Sequence, residues 1–140
     1  MSSRFLFMAL GFVSLALAGC GDRQVSYSRD VDPILQANCA VCHTPGGTAF
    51  ATTGFSVASY TDVMKGTSNG AVIKPGSAVG STLVRLIRHQ ADSTINMPKN
   101  YTVQITEHAQ IVLPGVNARQ LPKRDVELIA RWVDQGARNN

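Results

Sequence analysis

Apolar residues recur at the spacing of an α-helix near both ends of residues 28–140. Near the start, Ser28 is a candidate cap, and a proline follows in the first turn of an apolar face that runs to Asn38. Near the end, residues 122–135 place their apolar side chains on one stripe, and Gly136 is a stop signal. The pattern therefore predicts one helix at the start of this stretch and a longer one at its end.

Shorter helices and loops are predicted between these two helices. Residues 60–65 form an amphipathic turn that ends at Gly66, and Ser81 is placed to cap a second short helix. Residues 44–53 are rich in Gly, Thr and Pro, and residues 91–104 follow no regular period, so both are expected to be irregular. Little strand is predicted, and the expected fold class is all-α with about three to five helices.

The first twenty residues have the pattern of a bacterial export signal. Arg4 precedes an apolar run of 14 residues, 5–18, which is too short to cross a membrane comfortably. The run leads into Leu17-Ala18-Gly19-Cys20, which resembles the lipobox of bacterial lipoproteins, where the cysteine becomes the acylated first residue. The alternative is an ordinary signal peptide that ends near a cysteine.

The lipoprotein interpretation divides the chain into three segments. Residues 1–19 are expected to be a signal peptide, residues 20–27 the acylated start with a tether, and residues 28–140 one folded domain. Acyl chains on Cys20 would anchor the protein to a membrane. The expected location is therefore the periplasmic or cell-surface side of a bacterial membrane.

Composition and charge argue against a nucleic-acid partner. The formal charge is +4, and removal of Arg4 with the leader leaves 12 basic and 9 acidic residues, or +3. No basic run and no basic–aromatic stripe is present, so we expect no nucleic acid to bind. A domain of this length also has a small core, which a large apolar prosthetic group would enlarge.

The strongest chemical signal is Cys39-Ala40-Val41-Cys42-His43. Two cysteines three apart and followed at once by histidine form the pattern for covalent attachment of a c-type haem. Two residues between the thiols let one helical turn present both sulfurs to the porphyrin vinyl groups. The next side chain can then reach the iron. The motif predicts one covalent haem c, held by Cys39 and Cys42, with His43 as the proximal iron ligand.

Two other uses of a C-x-x-C pair were weighed against haem. A zinc site would need two more ligands at matching spacing, and the only other cysteine is Cys20. A thiol–disulfide pair would be expected near a βαβ pattern, and none is visible. Haem attachment is therefore the preferred interpretation.

The mature chain resembles small class I cytochromes c, and more closely the domain called planctomycete-type cytochrome c. The matching residues are Arg29, Asp30, Val31, Asp32, Pro33, Ile34, Leu35, the haem motif, Phe55, Ser56, Val57, Tyr60, Ile73, Lys74, Pro75, Gly76, Ser77, Ser81, Leu83, Val84, Met97, Pro98, Asp125, Val126, Ile129, Trp132, Val133, Gly136 and Ala137. The resemblance implies a class I cytochrome c-like fold around one haem. Residues 101–121 depart from it as an insertion between the Met-Pro pair and the last helix.

The distal iron ligand has four candidates. The resemblance assigns it to Met97, which is followed directly by Pro98. Met64 lies on an amphipathic turn, where a thioether that fills the core is the simpler interpretation. His89 and His108 are the remaining candidates, and an iron with an open position is the last alternative.

A haem iron held by both His43 and Met97 would have no vacant position, so the predicted function is one-electron transfer by a monohaem cytochrome and not an enzyme. With the lipid anchor predicted at Cys20, the protein is expected to carry electrons between exported redox proteins of unknown identity while tethered to a membrane. The first rival is a haem peroxidase or gas sensor, which would need an open iron position and an acid–base group such as His108. The second rival is an electron-entry subunit of a larger oxidoreductase, which a tether would also suit.

Overall fold

The computed structural model describes residues 23–107 and 109–140, so the leader, Cys20 and His108 lie outside the described residues. A π-helical turn, Tyr27–Val31, precedes five α-helices and one β-hairpin in the described part. The elements are α1 (Asp32–Asn38), α2 (Thr48–Thr53), α3 (Tyr60–Lys65), α4 (Thr82–Ile87), β1 (Lys99–Ile105), β2 (Gln110–Ala118) and α5 (Lys123–Asp134). Across residues 23–107 and 109–140, no helix combines the length and the hydropathy needed to cross a membrane.

The all-α fold class is wrong, because β1 and β2 pair as an antiparallel two-stranded sheet. Tyr101 lies opposite Pro114, and Val103 lies opposite Val112, so these four side chains share one face of the hairpin. Residues 101–105 alternate between apolar and polar side chains and include β-branched residues, which favours a strand. The expectation that residues 91–104 are irregular therefore holds only before β1.

The start of the first helix was predicted two residues too late. The hydroxyl oxygen of Ser26, not of Ser28, accepts a hydrogen bond from the Arg29 backbone N–H at 3.3 Å. In return, the Asp30 carboxylate accepts one from the Ser26 N–H at 2.9 Å, which lowers the pKa of Asp30. This reciprocal cap fixes the start of the π-helical turn that leads into α1.

The segment between the haem motif and residue 53 is not all loop, since it contains α2. Gly54 ends α2 in a left-handed conformation, at φ 70°, and its N–H donates to the Phe50 carbonyl. The sequence analysis missed this helix because Thr and Gly are poor helix formers, whereas contacts with the haem motif stabilise it. The short helices predicted at residues 60–65 and after Ser81 are confirmed as α3 and α4.

The hydrophobic core is built around α5, as its apolar stripe predicted. The buried residues of this helix are Val126, Ile129, Ala130, Trp132 and Val133. The Trp132 ring packs 5.4 Å from the Tyr27 ring, measured between centroids, and its Nε1–H donates to the Arg138 carbonyl at 2.9 Å. The Ser26 hydroxyl also donates a hydrogen bond to the Asn140 carbonyl at 2.6 Å, so the two ends of the described domain are joined.

Replacement of Trp132 should show how much this packing stabilises the domain. Trp132→Ala removes a side chain that is 0% exposed, and we expect the free energy of unfolding to fall by about 3–5 kcal/mol. Arg131→Ala, an exposed change on the same helix, should stay within about 0.5 kcal/mol of wild type. Urea denaturation followed by circular dichroism measures both free energies of unfolding. Equal values for Trp132→Ala and wild type would contradict this description of the core.

Candidate haem site

The haem motif forms a tight turn at the end of α1. The Cys39 N–H donates to the Leu35 carbonyl at 2.8 Å and so continues the helical bonding beyond Asn38. The Cys39 carbonyl then accepts from the Cys42 N–H at 3.1 Å and from the His43 N–H at 2.9 Å. These bonds close a helical turn over residues 39–43, as the C-x-x-C-H spacing predicts.

Helix α2 packs its first turn against this motif. The Cys42 carbonyl accepts from the Ala49 N–H at 3.1 Å and from the Phe50 N–H at 3.0 Å. A Cβ atom at Gly47 would overlap the Cys42 carbonyl group, so glycine is required for this close approach. The position of the second thiol is therefore fixed from both sides of the turn.

One cleft of about 230 Å³ brings the predicted site residues together. Its walls are almost entirely apolar and come from the motif, α2, α4, the Met-Pro loop and the hairpin. The lining residues that carry candidate chemistry are Cys39, Cys42, His43 and Met97. An apolar cleft with two thiols, an imidazole and a thioether on its walls fits a covalently attached haem, since a porphyrin face is apolar and its iron takes His and Met ligands.

The His43 ring is suited to bind a metal in its neutral form. Burial lowers its pKa, and the nearby backbone of Phe55 opposes that shift only in part. Its Nδ1 atom is buried without a partner in hydrogen-bonding geometry, and the Phe55 ring packs edge-on against the imidazole at 5.2 Å between centroids. A neutral imidazole held by ring packing is what ligation of a haem iron needs.

The environment of Cys39 disfavours the two alternatives to haem. Burial raises the pKa of its thiol to about 11, with Arg119 working in the opposite direction. A redox-active dithiol needs a lowered thiol pKa, which Cys39 lacks. In the described part of the chain, no three His, Cys, Asp or Glu side chains come together as a metal site would require, so a zinc site finds no support there.

The structure separates the candidates for the distal ligand. Met97 lines the cleft and is held by a hydrogen bond from its N–H to the Leu86 carbonyl at 3.2 Å. Met64 packs against the hydrophobic core, as the simpler interpretation of its helix predicted, and it does not line the cleft. His89 is also absent from the cleft walls that the structure describes, and His108 lies outside the described residues.

The sequence analysis missed the part of the site that the hairpin supplies. Tyr101 and Pro114, which face each other across the strands, line the cleft together with Lys99. Arg119 follows β2 and reaches Asn38 on the cleft wall, where its Nη2–H donates to the Asn38 Oδ1 atom at 2.8 Å. These contacts join positions that are far apart in the sequence, and no local pattern could have paired them.

Comparison with known proteins found a family similarity, and it covers part of the site. Residues 39–100 match the family model described as planctomycete cytochrome C. The match begins at the first haem cysteine, includes Met97 and supports a cytochrome c-type domain in this part of the chain, in agreement with the family resemblance. Neither the curated proteins nor the solved structures gave a match. The family implies a covalently bound haem c.

Removal of the two thiols should abolish covalent haem. Cys39→Ala or Cys42→Ala should leave at most one thioether bond, and the double variant should leave none, because no other described side chain in the cleft is a thiol. Haem staining after denaturing electrophoresis of protein matured in a bacterial periplasm measures this. Pro45→Ala, an exposed change beside the motif, is the control. Full staining of the double variant would overturn the assignment.

Proposed function

We propose that this protein is a monohaem cytochrome that carries single electrons between exported redox proteins. The observation that carries the proposal is that Met97 and His43 line the same cleft as the two cysteines. In the proposed site, Cys39 and Cys42 form the thioether bonds, His43 is the proximal ligand, and Met97 is the distal ligand. When bound, the haem supplies one-electron chemistry through its Fe(III)/Fe(II) couple.

The side chains of the cleft have three tasks in this function. The thioether bonds retain the haem, and the apolar side chains of Leu83, Leu86 and Ile87 on α4 exclude water from it. With haem bound, Met97 would fill the iron position that an oxidant or a gas needs, and Met ligation would raise the reduction potential relative to two histidines. The rival peroxidase needs an acid–base group, and its candidate, His108, is outside the described residues, so no observation favours it.

The proposal also includes a membrane tether at Cys20 and a location on the periplasmic or cell-surface side of a bacterial membrane. The lipobox-like sequence that ends at Cys20 supports it. The Val25 N–H donates to the Gln135 Oε1 atom at 2.7 Å, so the chain is already bonded to the folded domain five residues after Cys20, the proposed anchor. Such a short tether would keep the haem domain close to the membrane and to partners anchored there.

Replacement of Met97 tests the electron-carrier assignment. Met97→Ala should remove the methionine–Fe(III) charge-transfer band, lower the reduction potential and allow rapid binding of carbon monoxide, because the thioether no longer fills the sixth position. Met64→Ala is the matched control: it loses a thioether that packs on the core, so it should lose stability but keep the band and the potential. Optical spectroscopy and redox titration measure these effects.

Two results would contradict parts of this proposal. One is survival of the charge-transfer band in Met97→Ala, which would show that another residue is the distal ligand and would refute the assignment of Met97, but not electron transfer itself. The other is fast carbon monoxide binding by freshly purified wild type together with turnover of peroxide, which would require an open position and favour the enzyme.

Replacement of the proposed lipidation site tests the tether separately. Cys20→Ser should shift the protein from the membrane fraction to the soluble exported fraction, or leave its leader uncleaved, because the acyl chains are lost. Mass spectrometry of the mature wild type should find Cys20 as the first residue with acyl groups attached. A native first residue downstream of Cys20, without lipid, would refute the tether and leave the haem site unaffected.

A further inference from the structure

Arg119 lies at the rim of the cleft and is held there by two hydrogen bonds. Its backbone N–H donates to the Pro98 carbonyl at 2.9 Å, and its Nη2–H donates to the Asn38 Oδ1 atom at 2.8 Å. Pro98 follows the proposed distal ligand, Asn38 precedes the first haem cysteine, and both line the cleft. The backbone of Arg119 is therefore bonded to the segment of the proposed distal ligand, and its guanidinium is bonded to the helix that leads into the haem motif.

Among the described residues, no carboxylate forms an ion pair with the Arg119 guanidinium. The ion pairs within residues 23–107 and 109–140 involve Arg23, Arg29, Arg88 and Arg124, and none of them includes Arg119. A guanidinium has five N–H donors in a planar fork, and the Asn38 bond uses one of them. The residue is half-buried beside an apolar cleft, where an unbalanced charge is unfavourable.

The other cation at the cleft is already engaged. Lys99 lines the cleft, but its Nζ atom donates to the Ser93 carbonyl at 3.2 Å. Lys99 also acts electrostatically on the nearby Asp92 carboxylate and contributes to lowering its pKa. Arg119 therefore remains as the cation with donors to offer.

A haem would bring the missing negative charge, and this step depends on the function proposed above. The ring fits the apolar walls, but its two carboxylates do not, so they must reach a polar group at the rim. The planar fork of arginine matches a carboxylate better than a lysine does, because it can donate two parallel hydrogen bonds. We propose that Arg119 binds a haem carboxylate, and that the hairpin of residues 99–118 serves to place Arg119 at the haem edge.

Two variants of Arg119 and one control test this assignment in the haem-loaded protein. Arg119→Gln removes both the charge and the fork, whereas Arg119→Lys keeps the charge and loses the fork. Arg124→Gln is the control, because it removes one positive charge from a side chain that is 89% exposed and screened by water. The readouts are covalent haem content, the reduction potential and the resonance Raman bending mode of the haem carboxylates.

All three variants should attach haem fully, since the thiols are intact. Arg119→Gln should lower the reduction potential and shift the carboxylate mode, because an unpaired carboxylate favours Fe(III). Arg119→Lys should shift the carboxylate mode, but its reduction potential should stay close to that of wild type because the charge is kept. Arg124→Gln should match wild type in both the mode and the potential. An unshifted mode in Arg119→Lys and Arg119→Gln would overturn the proposal, even if the potential falls. Absence of covalent haem in wild type would instead refute the proposed function.

Discussion

The turn that the Cys39 carbonyl closes is the constraint on which the site depends. By accepting hydrogen bonds from the Cys42 and His43 N–H groups, this one oxygen sets the spacing of the two thiols and the imidazole. The neighbouring elements are arranged to hold the turn: α1 leads into it, and α2 approaches closely enough to require Gly47. The remaining walls of the cleft, from α4 and the hairpin, are apolar and enclose the space that the turn faces.

The helical part of the fold could be predicted because its signals are local. Each of these signals is formed by residues that are close together in the sequence: the apolar stripe of α5, the glycine after α3 and the C-x-x-C-H motif. The hairpin was not predicted, although Tyr101, Val103 and Ile105 alternate with polar residues. These apolar side chains are 39–83% exposed, so their alternation does not mark a buried face. The resemblance to all-helical cytochromes also gave no reason to expect a strand.

The part of the site that sequence could not supply depends on contacts between distant residues. Arg119 and Asn38 are 81 positions apart, and their hydrogen bond depends on how β2 returns to the Met-Pro loop. The choice of Met97 over Met64 came from a family resemblance, and the structure adds a physical reason, since only Met97 of these two lines the cleft. Both examples show that residue type suggests chemistry, while tertiary packing decides which residues take part.

The absorption spectrum of the wild-type protein, recorded in the ferric and ferrous states, tests the central claim most directly. A haem held by His43 and Met97 predicts a low-spin spectrum in both states, with a methionine–Fe(III) charge-transfer band in the near infrared. Alkaline pyridine should give the spectrum of a haem with both vinyl groups converted to thioethers. A high-spin ferric spectrum without that band would contradict the assignment of Met97, and a haem that organic solvent extracts would contradict the covalent site itself.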